Sequence, residues 1–145
     1  MSAVRATMLR ALSAASLLVA PLSAAAAAPT IEGLWRTDDG KALVRVAACG
    51  QRMCGTIARV LDTSPGVPTT DVNNPNPSRR NRPLVGLQIL SGFTGGPNEW
   101  EGGQAYDPKS GSSYKSSLRL NTDGSLRVTG CVLFVCRSKR WTRAG

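Results

Sequence analysis

Histidine is absent from the 145 residues of this chain. That removes the commonest general base and the commonest imidazole metal ligand together, and with them any Ser–His–Asp or Cys–His centre. Aromatic residues are scarce, seven after residue 28, so few platforms exist for stacking bases, and no nucleic-acid partner is expected. Acidic residues number nine against eighteen Lys and Arg. Only Glu99 and Glu101 have the look of a paired-carboxylate enzyme. Glycosidase pairs stand ~5–5.5 or ~6.5–9.5 Å apart, which their spacing admits. Trp100 between them takes the opposite strand face, however, and a core Trp100 leaves both acids in solvent. After residue 28 there is also no long apolar run and no amphipathic helix. The chain reads as non-catalytic, with no cofactor and no metal.

The first 28 residues have a different character. Arg5 and Arg10 make a positive start, Ala11 to Leu22 an apolar stretch, and Ala24 to Ala28 several overlapping A-x-A sites. This predicts a signal peptide over 1–28 and one exported domain over 29–145, periplasmic or secreted. An uncleaved anchor is the rival reading. It is disfavoured by an Ala-rich run broken at Pro21, where spans favour ~20 strongly apolar residues. The first cysteine, Cys49, lies too far along for lipoprotein processing. Removing Arg5 and Arg10 leaves sixteen basic against nine acidic residues, a net +7, and twelve of those cations are Arg. Excess positive charge on an exported protein suits anionic partners, although it equally serves solubility.

Four cysteines in an exported chain read as two disulfides, with three possible connectivities. Cys49 and Cys54 flank four residues, as do Cys131 and Cys136, and each pair joins two strand-like runs. The spacing favours local pairing, with each cysteine facing its partner across a hairpin at ~4.5–5.5 Å. A four-thiolate zinc site is the alternative, but C-x4-C is not the usual knuckle spacing.

Turn signals recur at short intervals, as in a small all-β domain. The strands are predicted at Ile31–Thr37, Lys41–Cys49, Cys54–Leu61, Pro83–Phe93, Glu99–Tyr106, Ser113–Asn121 and Leu126–Gly130, with a last one ending at Arg143. Ala42, Val44, Val46 and Ala48 share one face of the second strand. The third has mixed facing, since Ile57 and Leu61 share a side with Arg59. Gly102-Gly103 suits a bulge. The 62–83 segment, carrying five prolines with Arg79, Arg80 and Arg82, is too broken for regular structure and reads as a lid over a barrel mouth. Eight strands close a small antiparallel up-and-down barrel.

Gly33-x-Trp35 on the first strand and Trp141-x-Arg143 on the last resemble the lipocalin and calycin arrangement. That resemblance implies a structural role for Gly33, Trp35, Trp141 and Arg143, with the guanidinium stacked on the indole at the closed end. A wider set of motifs adds Asp38-Asp39-Gly40-Lys41-Ala42, Asp71-x-Asn73-Asn74-Pro75-Asn76-Pro77, Arg82-Pro83-Leu84-x-Gly86-Leu87, Trp100-x-x-Gly103, Tyr106-Asp107-Pro108 and Gly111-x-x-Tyr114. Together they resemble the domain of unknown function 2147 family of exported bacterial proteins, from Ile31 to Arg143. The resemblance implies a lipocalin-like barrel and no particular reaction. One departure is the apolar run Val132-Leu133-Phe134-Val135, where the family more often carries Gly and polar residues.

Strict alternation puts Arg137, Lys139, Trp141 and Arg143 on one face. If Arg143 points in, Arg137 and Lys139 do too, and such cations require a wet cavity or an anion. The alternative is a bulge after Cys136 that turns both outward. Asp71 and Asn74, with Arg79 and Arg80, form a candidate polar rim for a ligand headgroup, although such a run ordinarily means a solvated loop. The function expected is non-catalytic binding of a small amphipathic or anionic molecule. The alternative is an interaction module that docks an envelope protein or a membrane surface through the Val132–Val135 tip.

Overall fold

The structure, a computed structural model, describes residues 3, 15–25 and 30–145. The expected signal peptide, 1–28, lies largely outside the described residues. Eight strands follow: β1 (Gly33–Arg36), β2 (Ala42–Cys49), β3 (Arg52–Val60), β4 (Gln88–Gly95), β5 (Glu99–Asp107), β6 (Ser112–Leu120), β7 (Leu126–Val132) and β8 (Val135–Arg143). Each pairs antiparallel with the next and β8 returns to β1, so the sheet closes into an up-and-down barrel. The connections after β1, β3, β5 and β7 gather at one end, the mouth. The other turns and both ends of the barrel sequence gather at the opposite end.

Period-two alternation sets the facing of most strands. Ser116 and Leu118 of β6 are buried between exposed Lys115 and Arg119, and Leu126 and Val128 of β7 flank exposed Arg127. β3 shows why its facing is mixed in the sequence. Leu43 pairs with Arg59 but Val44 pairs with Ile57, so Ala58 is an extra residue. That bulge flips the phase: Met53, Gly55 and Ile57 point in, Arg59 points out, and Val60 points in again. A second bulge lies between Trp100 and Gly103, as the paired glycines predict. The strand expected from Pro83 is shorter. Residues 83–87 form a turn closed by Leu87 N–H donating to the Leu84 carbonyl at 3.0 Å, and β4 begins only at Gln88.

The lower half of the barrel is filled. Trp35, Val44, Val46, Phe93, Leu118 and Leu126 are fully buried, each such apolar side chain contributing about 1.5–3 kcal/mol. Trp35 and Arg143 are partners across the β1–β8 seam, and the guanidinium lies 4.3 Å from the ring centroid. Arg143 also donates to the Thr30 carbonyl at 2.6 Å and the Glu32 carbonyl at 3.0 Å, which draws residues 30–32 across the barrel end. Trp35 Nε1 donates to the Ile31 carbonyl at 2.8 Å, and Ile31 is the buried plug. Gly33 has φ +138° beneath this pair, and a Cβ there would fall 2.7 Å from Arg143 Nη1. The G-x-W pattern is the imprint of that contact.

Both local disulfides form. Cys131 faces Cys136 directly, with Cα atoms 4.1 Å apart, at the mouth. The other bridge departs from the expected facing. Cys49 is opposite Arg52 and Cys54 opposite Ala47, because the turn contains only Gly50 and Gln51, and the bridge runs diagonally over 5.9 Å.

Candidate functional site

Above the filled half the barrel is hollow. A cavity of about 670 Å³ opens at the mouth, within the size range of small-molecule sites. Its walls are apolar, built from inward residues of β3, β4, β7 and β8, among them Ile57, Val60, Ile89, Leu90, Val128 and Trp141. The connection from β3 to β4 closes one side with Val67, Val72 and Leu84. β8 keeps strict alternation after Cys136, and Arg137, Lys139 and Trp141 all line the cavity. The Trp141 ring is buried, and its N–H finds no acceptor among the described residues.

The charges around the mouth are mostly spent on each other. Lys139 pairs with Asp38 at 3.4 Å and Lys41 with Asp62 at 3.4 Å, while Lys109 pairs with Asp39. Hydrogen bonds from Ser64 and then the Lys41 charge hold the Asp62 carboxyl below the ordinary range. Asp107 accepts from Lys109 N–H at 3.0 Å and from the Ser110 hydroxyl at 3.0 Å. Arg137 lines the same cavity and makes no ion pair among the described residues.

The long connection is a folded clamp with only part of it at the mouth. Asp71 is completely buried. Its Oδ2 accepts from Asn74 Nδ2 at 2.8 Å, Arg82 Nε at 2.9 Å and Arg82 Nη2 at 2.8 Å, and its Oδ1 accepts from the Tyr106 hydroxyl at 2.6 Å. Burial alone would raise this carboxyl, but the hydrogen bonds from Tyr106, Asn74 and Arg82 and the Arg82 charge hold it below its ordinary 3.8. Tyr106 is pushed above its ordinary 10.0 by burial and by the Asp71 carboxylate. Asn73 reaches the other way, donating to the Lys109 carbonyl at 3.0 Å. A Cβ at Gly111 would fall 1.9 Å from the Asn73 carbonyl oxygen, so the connection can seat here only on a glycine.

The candidate residues therefore fall into two groups. Arg137 and Lys139 come together at the cavity. Asp71 and Asn74 do not face it, because their polar atoms are buried in the clamp, and exposed Arg79 and Arg80 do not line it. Arg80 Nε donates to the Asn74 carbonyl at 2.8 Å, bracing the loop from outside. The rim expected from these four residues is supplied instead by Asp38, Asp39, Lys41, Asp62 and Lys109. Sequence reasoning missed that ring because its partners are far apart along the chain. Glu99 and Glu101 are exposed, and Glu99 pairs with Arg119 at 3.0 Å.

An eight-stranded antiparallel barrel, sealed by a Trp–Arg stack and hollow above it, is a lipocalin-like fold. Its shape is similar to that of protein HP1028 from Helicobacter pylori, described as belonging to the lipocalin family. The two share a TM-score of 0.72 and 23% identity, over 81% of this chain and 85% of that one. No curated protein matches it in sequence. Residues 33–143 match the family described as "Uncharacterized protein conserved in bacteria (DUF2147)", and the chain belongs to that family.

Proposed function

We propose that this chain is an exported, non-catalytic binding protein for a small amphipathic anion. The observation that carries the reading is the pairing of an apolar hollow with Arg137, the lining cation that has no carboxylate partner among the described residues. An apolar tail would lie against Ile89, Leu90, Val128 and Trp141, and the acid group would meet Arg137 at the mouth. Lys139 would contribute less, because Asp38 already neutralises it. The clamp around Asp71 and Asn74 supports the site indirectly, by holding Val72 and Asn73 against the opening. Export rests on the first 28 residues and the two disulfides.

The test is mass spectrometry of organic extracts of the purified protein, alongside titration with straight-chain carboxylates and the matching alcohols. The expected result is a co-purifying acid, or carboxylates bound more tightly than alcohols, with the preference reduced in Arg137→Ala and in Lys139→Ala. No co-purifying acid together with no binding of any anionic probe would overturn the reading.

A further inference from the structure

The β7–β8 hairpin ends in two residues, Leu133 and Phe134, that project almost fully into solvent. Val132 and Val135 beside them are more than half exposed and also line the cavity mouth. Apolar side chains at a hairpin tip forfeit burial energy, and this tip carries a second cost. Leu133 has φ +51°, a left-handed conformation that glycine or asparagine would adopt with less strain. A backbone outlier of this kind motivates a functional reading when the surroundings hold it in place. They do so here, since Cys131 and Cys136 are bridged directly beneath the tip. The hairpin cannot readily fold the two side chains inward.

Size and charge decide what covers the tip. A stable protein interface needs ~20–30 residues on each side, whereas the apolar patch comprises four residues on a convex point. A lipid surface has no such requirement: apolar side chains can enter the headgroup layer while each flanking cation adds about 1 kcal/mol of attraction to anionic lipid. Lys115 sits opposite Cys131 on the outer face of β6, Arg137 follows Cys136, and neither makes an ion pair among the described residues. Asp38, Asp39 and Asp62 at the mouth are each paired with a lysine (Lys139, Lys109 and Lys41), so among the described residues the charges of Lys115 and Arg137 stay uncompensated beside the tip. We infer that the Leu133–Phe134 tip inserts into a lipid bilayer, preferentially one with anionic headgroups, and so brings the mouth of the barrel against the membrane surface. This goes beyond the ligand reading and does not depend on it, since the tip can dock whether or not the cavity is occupied.

Flotation of the disulfide-bonded protein with vesicles tests the inference without any added ligand. One set would be phosphatidylcholine alone and the other phosphatidylcholine with one quarter phosphatidylglycerol. The wild-type protein is expected to float with the vesicles, more strongly with phosphatidylglycerol present. Leu133→Ser with Phe134→Ser should lower partitioning at least about tenfold, and Lys115→Gln should reduce only the gain from anionic lipid. Both tip residues are exposed, so an unchanged melting temperature and circular dichroism would certify the fold of the double variant. Leu133→Gly, which relieves the backbone and retains Phe134, should keep part of the binding. Absence of wild-type flotation with either vesicle, or undiminished flotation of the double serine variant, would overturn the inference. So would self-association through the tip, abolished in that variant, in a protein that ignores vesicles.

Discussion

Asp38, just past β1, pairs at 3.4 Å with Lys139 of the neighbouring β8 at the mouth of the barrel, 101 residues away along the chain. Two positions earlier on the same face of β8, Arg137 lacks such a partner among the described residues. Two cations that look equivalent in the sequence therefore differ in what remains for a ligand. Arg137→Gln is expected to weaken binding of an anionic amphiphile about tenfold, the scale of one charge-assisted hydrogen bond. Lys139→Gln should cost less. Asp38→Asn should tighten binding several-fold by releasing Lys139. Fluorescence titration with a carboxylate probe would check the order, and equal losses at Arg137 and Lys139 would refute it.

Asp71→Ala should destabilise the protein by about 3 kcal/mol, because it strands buried donors on Asn74 and Tyr106 and removes the partner of Arg82. Urea unfolding would measure it. The pH dependence has a definite sign. A carboxyl whose folded value is depressed stabilises the fold above its unfolded value, and that contribution fades as pH falls through the folded value. For Asp71 the loss begins near the ordinary 3.8 and continues below it. Asp71→Asn should therefore be less stable at neutral pH and lose stability less steeply on acidification. Some slope should persist, since Asp62 and Asp123 are also depressed.

Gly111→Ala should unseat the clamp without opening the barrel. The new methyl would collide with the Asn73 carbonyl, which is backbone and cannot rotate away. Amide exchange across 70–83 should accelerate, while the amides of β6 and β7 stay protected. Uniform acceleration throughout the barrel would contradict this division.

Arg143→Lys is expected to cost about 1–2 kcal/mol, despite keeping the charge. An ammonium cannot stack on Trp35 while reaching the carbonyls of both Thr30 and Glu32, as the planar fork does. Thermal unfolding followed by tryptophan fluorescence would report the loss at the closed end.

Replacing either disulfide with two serines should leave a folded barrel that is roughly 2 kcal/mol less stable, the loop-entropy value for so short a closure. Chemical denaturation of the two double variants would test it. A chain that fails to fold without one bridge would mean that the bridge does more than limit the unfolded state.

Much of this architecture was legible residue by residue. Alternation in β6 and β7, the glycine pair in β5 and the C-x4-C spacings depend on neighbours within a few positions, so a strand or turn declares them locally. The facing of β8 was only half legible: alternation put Arg137 and Lys139 inward, a bulge after Cys136 would have turned both out, and only the unbroken register with β7 decides between them. Asp71 and Asn74 misled because a polar, proline-rich run looks the same whether it greets a ligand or fastens a loop. Tyr106, the hydroxyl that distinguishes the two roles, lies 35 residues from Asp71.

The amino-acid order pointed to the strand count, closure of the sheet, both cysteine pairings and the Trp35–Arg143 seal: short-range patterning marks the strands and favours the local cysteine pairs, eight strands suit closure, and the motif resemblance marks the seal. Folding settled the rest: the extra residue at Ala58, the half-filled interior, the outward reach of Leu133 and Phe134, and the charges cancelled at the mouth. Those features arise from register between strands and from Coulomb partners brought together across the barrel. Distances of that kind exist only once the sheet has closed.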